Sequence, residues 1–173
     1  MENAVSEDAI RQAAGNLLEA LKAHGLKIAF AESMSGGLLS GSLTRIPGAS
    51  SVLLGSVVCY DAAAKTRMLS VPQKLLRESG AESAAVTEAM AAGLAGLFPD
   101  AGMLLAITGS ASAPVNDYRV SSAPGSVFIC FGKPGQKLIS REWKLSGSRN
   151  EVLNRAVLLA FKSLTEALGS EGE

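Results

Sequence analysis

Apolar residues recur at helical spacing near the start of the chain, where Ile10, Ala13, Ala14, Leu17, Leu18 and Leu21 share one face. Ser6 stands in position to cap that helix and Gly25 to stop it. The pattern then changes. "LKIAFA", residues 26–31, is a short continuous apolar run bounded by turn signals, which predicts a buried strand. Ser35, Gly36 and Gly37 open a second helix running to about Thr44, and "IPG" at 46–48 ends it. "LLGSVVCY" predicts another strand, followed by a short helical piece, "DAAAKTRMLS", broken by Pro72, and by a second piece, "QKLLRESG". Ser83 caps a longer helix, "AAVTEAMAAGLAGLF", whose small residues suit close packing on a sheet. "MLLAITGS" is a further apolar strand.

Residues 110–125, "SASAPVNDYRVSSAPG", read as a loop. "SVFICF" and "KLISREWKL" form a hairpin through "GKPGQ", and a last helix covers about Ser148 to Leu168, with Val152, Ala156, Leu159 and Leu164 apolar. Helices alternating with strands, then a hairpin, predict a three-layer α/β/α domain with a mostly parallel, mixed sheet. At 173 residues the chain suits one domain.

Charge narrows the choice of partners. Sixteen basic residues balance sixteen acidic ones and no run of one sign appears, so the cationic surface that nucleic acid requires is not expected. No stretch reaches the roughly 18–20 apolar residues of a membrane span. "MENAVSEDAI" is acidic and has no signal-peptide pattern, so a cytoplasmic location is expected. Cys59 and Cys130 sit in apolar runs and read as reduced, buried thiols; a metal or disulfide would want closer spacing or further ligands. His24, near a helix end, is read as a surface residue rather than a catalytic one. Trp143 is read as core or subunit contact.

In open α/β sheets ligands bind where strands end at their carboxyl side. Three turns fit: after Ala31, after Tyr60 and after Thr108. The first, within "AFAESMSGGLLSGSLT" (29–44), gathers an acid, hydroxyls and glycines. Two readings stand side by side, a tight strand-to-helix connection and a pocket holding a ligand against a nucleophilic hydroxyl. In the second reading the glycines admit close backbone approach and the helix start offers N–H groups to a phosphate or oxyanion. The stretch is no P-loop, lacking the Gly-Lys-Ser/Thr ending. The second turn adds the phenol of Tyr60 and the amine of Lys65. A lysine accepts a proton from serine only when neutral, which needs burial; otherwise Lys65 is a solvated helix residue. Thr108 and Ser110 either end a strand or donate hydrogen bonds into the same crevice.

Taken together, these turns resemble the C-terminal domain of the CinA family, also known as stand-alone nicotinamide-nucleotide amidase (PncC). The family's Ala-Glu-Ser-Cys-Thr-Gly-Gly is similar to Ala31-Glu32-Ser33-Met34-Ser35-Gly36-Gly37, and its Val-Val-x-Tyr-Ser-Asn-x-x-Lys to Val57 through Lys65. Thr-Gly corresponds to Thr108-Gly109, Pro-Val-Gly-Thr-Val to Ala123-Pro124-Gly125-Ser126-Val127, and Gly-Asp-Arg to Gly147-Ser148-Arg149. The likeness runs from about residue 6 to 168, so residues 1–173 are expected to form one such domain. The resemblance implies a metal-free, cofactor-free amidohydrolase of pyridine nucleotide metabolism that converts nicotinamide mononucleotide (NMN) to the acid and ammonia. Ser33 would be the nucleophile and Lys65 its base, with Tyr60 and Thr108 aiding proton transfer or the oxyanion. Glu32, Ser35, Gly36, Gly37, Gly109, Ser110 and Arg149 would bind substrate, and the chain would form homo-oligomers. Departures are local. The family's glycine-rich loop is replaced by Gly109-Ser110-Ala111-Ser112-Ala113-Pro114-Val115, and Val-Ser-Glu-Pro by Glu82-Ser83-Ala84-Ala85. Two alternatives follow from them: a member that binds a nucleotide-like ligand without turnover, and an amidase for another small amide.

Overall fold

The computed structural model describes residues 5–114 and 121–170. Ser6 opens helix α1 (Glu7–Ala23), its hydroxyl accepting from the Ala9 N–H at 3.1 Å, and Gly25 at φ 62° follows the end. Strand β1 (Ile28–Glu32) is buried along its whole length. Helix α2 (Leu38–Thr44) starts three residues later than the pattern predicts. Gly36 and Gly37 have φ of 58° and 101°, and such residues turn the chain before a right-handed helix instead of joining it. Next come a single 3₁₀ turn (Ala49–Ser51), β2 (Leu53–Val58), α3 (Ala62–Leu69), α4 (Gln73–Ser79) and α5 (Ala84–Leu97). β3 (Met103–Gly109), β4 (Ser126–Gly132), β5 (Ile139–Lys144) and α6 (Arg149–Ser170) complete the order. The loop expected over 110–125 is described on either side of 115–120, which lie outside the described residues.

The five strands form one sheet in the order β2-β1-β3-β4-β5. β2, β1 and β3 pair in parallel, while β4 is antiparallel to both β3 and β5, so four strands run one way and β4 the other. Strand alternation divides the core into two layers. Ile28, Phe30, Leu105, Ile107, Val127 and Phe131 meet α1, α2 and α6. Trp143 is partly buried and packs against this layer. On the other face Ala29, Ala31, Leu104, Ala106 and Cys130 meet α3 and α5. Leu17, Leu18 and Leu21 of α1 are buried, each contributing about 1.5–3 kcal/mol.

The second layer is thin because its sheet face is largely alanine. α5 settles close, and it also crosses α3 closely, since a Cβ at Gly93 would collide with the carbonyl of Leu69. Register then aligns the strand ends. Glu32 pairs with Val58 on one side and Ile107 on the other, and Thr108 pairs with Phe128. The chain therefore leaves β1, β2 and β3 at one edge of the sheet. β4 begins at that edge and β5 ends there, so α6 also starts nearby.

Candidate active site

At the end of β1 the Glu32 carboxylate is wholly buried and accepts six hydrogen bonds. Oε2 takes the Ser35 hydroxyl (2.8 Å) and the N–H groups of Gly37 (3.1 Å) and Leu39 (2.9 Å). Oε1 takes the N–H and hydroxyl of Ser40 (3.0 and 2.8 Å) and the hydroxyl of Ser56 on β2 (2.8 Å). The protein's own carboxylate thus fills the anion seat at the start of α2. The expectation that Gly36 and Gly37 would present this helix end to a substrate phosphate or oxyanion is corrected accordingly. Gly36 N–H is also engaged, by the Ser33 carbonyl (3.1 Å), and Ser35 and Glu32 do not line the adjoining cleft. What the arrangement does is fix Ser33, one residue beyond the anchor.

Ser33 opens onto a cleft of about 270 Å³ bounded by Met34, Tyr60, Glu82, residues 109–114 and Arg149. The three predicted turns meet there. Gly109 is required by the crowding, since a Cβ would collide with the Ser126 carbonyl and lie 2.6 Å from Met34 Sδ. Arg149, at the first position of α6, spans the mouth. Its Nη2 donates to the Tyr60 hydroxyl (2.8 Å) and its Nη1 to Ser112 Oγ (3.2 Å). The Ser110 hydroxyl donates to the Ser112 carbonyl (3.0 Å), which shapes the loop and commits its proton. Ser33 Oγ makes no hydrogen bond among the described residues, and the neighbouring Met34 N–H donates to none.

Lys65 lies below this edge, 1% exposed, on α3. Its amine donates to the Ala81 carbonyl at 2.9 Å and makes no hydrogen bond to Ser33. Burial lowers its pKa from that of a free lysine, against the opposing pull of Glu82, Cys59 and Asp61. Cys59 is fully buried; burial raises its thiol pKa while the charge of Lys65 lowers it. Both cysteines are free.

Thr108 and Thr87 are wholly buried, with hydroxyls 2.7 Å apart, and Thr87 donates onward to the Ser83 carbonyl at 2.6 Å. Because the Thr87 proton is spent on that carbonyl, Thr108 must be the donor between the two hydroxyls. Thr108 is left with only lone pairs to offer. In this arrangement it can receive an N–H.

Of the site residues expected from the sequence, Ser33, Tyr60, Gly109, Ser110 and Arg149 line the cleft, whereas Lys65, Thr108, Glu32, Ser35, Gly36 and Gly37 do not. Sequence reasoning passed over Glu82, Ser112 and Thr87. The only signal for Thr87 was its position one helical turn after the cap Ser83, and for Glu82 its place where the quoted family pattern has valine. Among the described residues no three His, Cys, Asp or Glu side chains gather as metal ligands, and no helix is long and apolar enough to cross a membrane.

Known proteins are similar to this chain in sequence and in fold. The sequence pattern of the CinA C-terminal domain matches residues 10–168. A CinA-like protein of Mycobacterium sp. (strain JLS) is 38% identical over 144 residues, covering 83% of this chain and 34% of its own. A putative competence-damage inducible protein of Geobacillus kaustophilus (strain HTA426) is 34% identical over 154 residues, covering 89% and 36%. The chain thus spans about a third of the length of these curated relatives. The solved competence/damage inducible protein CihA of Agrobacterium tumefaciens superposes with a TM-score of 0.82 at 28% identity, covering 98% of this chain and 99% of the other. A CinA superfamily protein of Klebsiella pneumoniae 700603 gives 0.85 at 25% identity, covering 93% and 98%. With the pattern matched across nearly its whole length, the chain belongs to the CinA C-terminal domain family.

Proposed function

We propose that the chain is an amidohydrolase that converts NMN to nicotinate mononucleotide and ammonia through Ser33 and Lys65. The observation that carries this reading is a serine hydroxyl with no partner among the described residues, opening on a cleft that Glu82 also lines, with a buried lysine of lowered pKa bonded to Ala81, the residue before Glu82. Neutral Lys65 accepts the Ser33 proton as Oγ bonds to the carboxamide carbon. The Met34 N–H, next along from the nucleophile, is the donor available to the oxyanion. The tetrahedral centre collapses, the C–N bond breaks, and the Lys65 ammonium returns a proton to the departing nitrogen as ammonia. Thr108 aids the proton transfer by receiving an N–H of that ammonium. Water then attacks the acyl-serine, Lys65 takes its proton and passes it to Ser33 Oγ as the ester bond breaks, and the acid leaves with Ser33 and neutral Lys65 restored. Arg149 meets the phosphate. The protein acts as a homo-oligomer in the cytoplasm, a reducing compartment suited to the free thiols of Cys59 and Cys130.

Ammonia release from NMN is expected for the unaltered protein and to fall about 10³-fold or more in Ser33→Ala, the scale of losing a covalent nucleophile. Equal release from both proteins removes Ser33 from its role. A second reading, a member that binds a nucleotide-like ligand without turnover, draws on one observation: Lys65 is bonded to Ala81 and not to Ser33. Calorimetric binding of NMN and its acid with no ammonia from either protein selects that reading, and Ser33-dependent ammonia from other small amides selects a different substrate.

A further inference from the structure

Two side chains of opposite sign line the cleft, and neither forms an ion pair among the described residues. Arg149 donates only to neutral hydroxyls, those of Tyr60 and Ser112. The Glu82 carboxylate takes the N–H of Ser121 (2.9 Å) and its hydroxyl, both on Oε2, while Oε1 accepts nothing among the described residues. Lys65 feels the charge of Glu82 but makes no ion-pair contact with it, its amine donating to the carbonyl of Ala81 one residue earlier.

A ligand entering the cleft displaces water from both charges, and that is tolerable only if the ligand supplies partners for them. A purely anionic ligand satisfies Arg149 and is repelled by Glu82; a neutral one satisfies neither. Where the family pattern quoted above has valine this chain has Glu82, so this demand is a feature of the chain itself. We infer that Glu82 is a specificity-determining residue that recognises a positive charge, so that the cleft takes a dipolar ligand, cationic group toward Glu82 and anionic group toward Arg149. The inference rests on reading the cleft as the substrate site and deepens it, since NMN carries a pyridinium ring and a phosphate. Ser121 holds Oε2 and so leaves the free oxygen to the ligand.

The test compares NMN with its reduced form, whose dihydropyridine ring is neutral while the phosphate is retained. Both are titrated calorimetrically into the full chain, Glu82→Gln and Ser121→Ala, with ammonia followed in parallel. The unaltered protein is expected to bind the cationic-ring form about tenfold more tightly, roughly the weight of one partly screened charge pair. Glu82→Gln is expected to bring that ratio to about 1 by weakening the cationic form alone, and Ser121→Ala to keep the ratio. An unchanged ratio in Glu82→Gln, an equal collapse in Ser121→Ala, or binding of neither form overturns the inference. Ammonia release with an unchanged ratio would overturn it while leaving the amidase reading intact. A Glu82-dependent ratio without ammonia would do the reverse.

Discussion

A lysine buried at 1% exposure is costly to a small domain, and Lys65 makes that cost visible. Its pKa is lowered in the folded chain, so the unfolded chain binds the proton more tightly and folding is opposed wherever the unfolded amine is charged. The penalty is full below the folded pKa and fades as pH rises from there toward 10.5, the value of a free lysine. Lys65→Met, which keeps the stem and removes the charge, is therefore expected to abolish ammonia release and to stabilise the protein at pH 7. The gain is about 1.4 kcal/mol for each unit by which the pKa is lowered. Denaturant titrations at pH 7 and pH 10 check the sign, because the advantage of the variant must shrink at the higher pH. A variant less stable at both values would mean that the Ala81 bond outweighs the burial of the amine.

At the scale of elements, α2 depends on a residue that is not part of it. Glu32 closes β1 and holds three N–H groups and three hydroxyls, one of them from Ser56 on the neighbouring strand. Glu32→Gln replaces one accepting oxygen with an amide nitrogen facing donors, and it is expected to cost about 3 kcal/mol in denaturant unfolding. Turnover should fall with it, because Ser33 is the next residue. Little of this was legible in the sequence. Caps that act within one turn, Ser6 on α1 and Ser83 on α5, are local chemistry and can be read directly. The role of Glu32 depends on Ser56, 24 residues away, and appears only once β1 and β2 are in register. Glycines at a helix start signal a turn; they do not tell whether a ligand or the protein's own carboxylate fills it. The role of Glu82 was hidden for the same reason, its significance arising from the walls around it.

Across the whole molecule, the two faces of the sheet divide the labour. The α1/α2/α6 side carries the bulky core with Phe30, Phe131 and Phe161, whereas the α3/α5 side is built on alanines. Arg149 joins the start of α6 to Tyr60, 89 residues earlier, so the cleft is closed by segments from both halves of the chain. The methyl groups of Ala29, Ala31 and Ala106 act as shims beneath α5, and their height sets how near Thr87 comes to Thr108. Ala106→Val thickens the shim without touching either hydroxyl. Overpacking of this size costs about 1–3 kcal/mol. A lower kcat with an unchanged KM in steady-state ammonia assays is the expected sign that the two threonines have been prised apart. The fine adjustment of the chemistry would then lie in the smallest side chains of the interior.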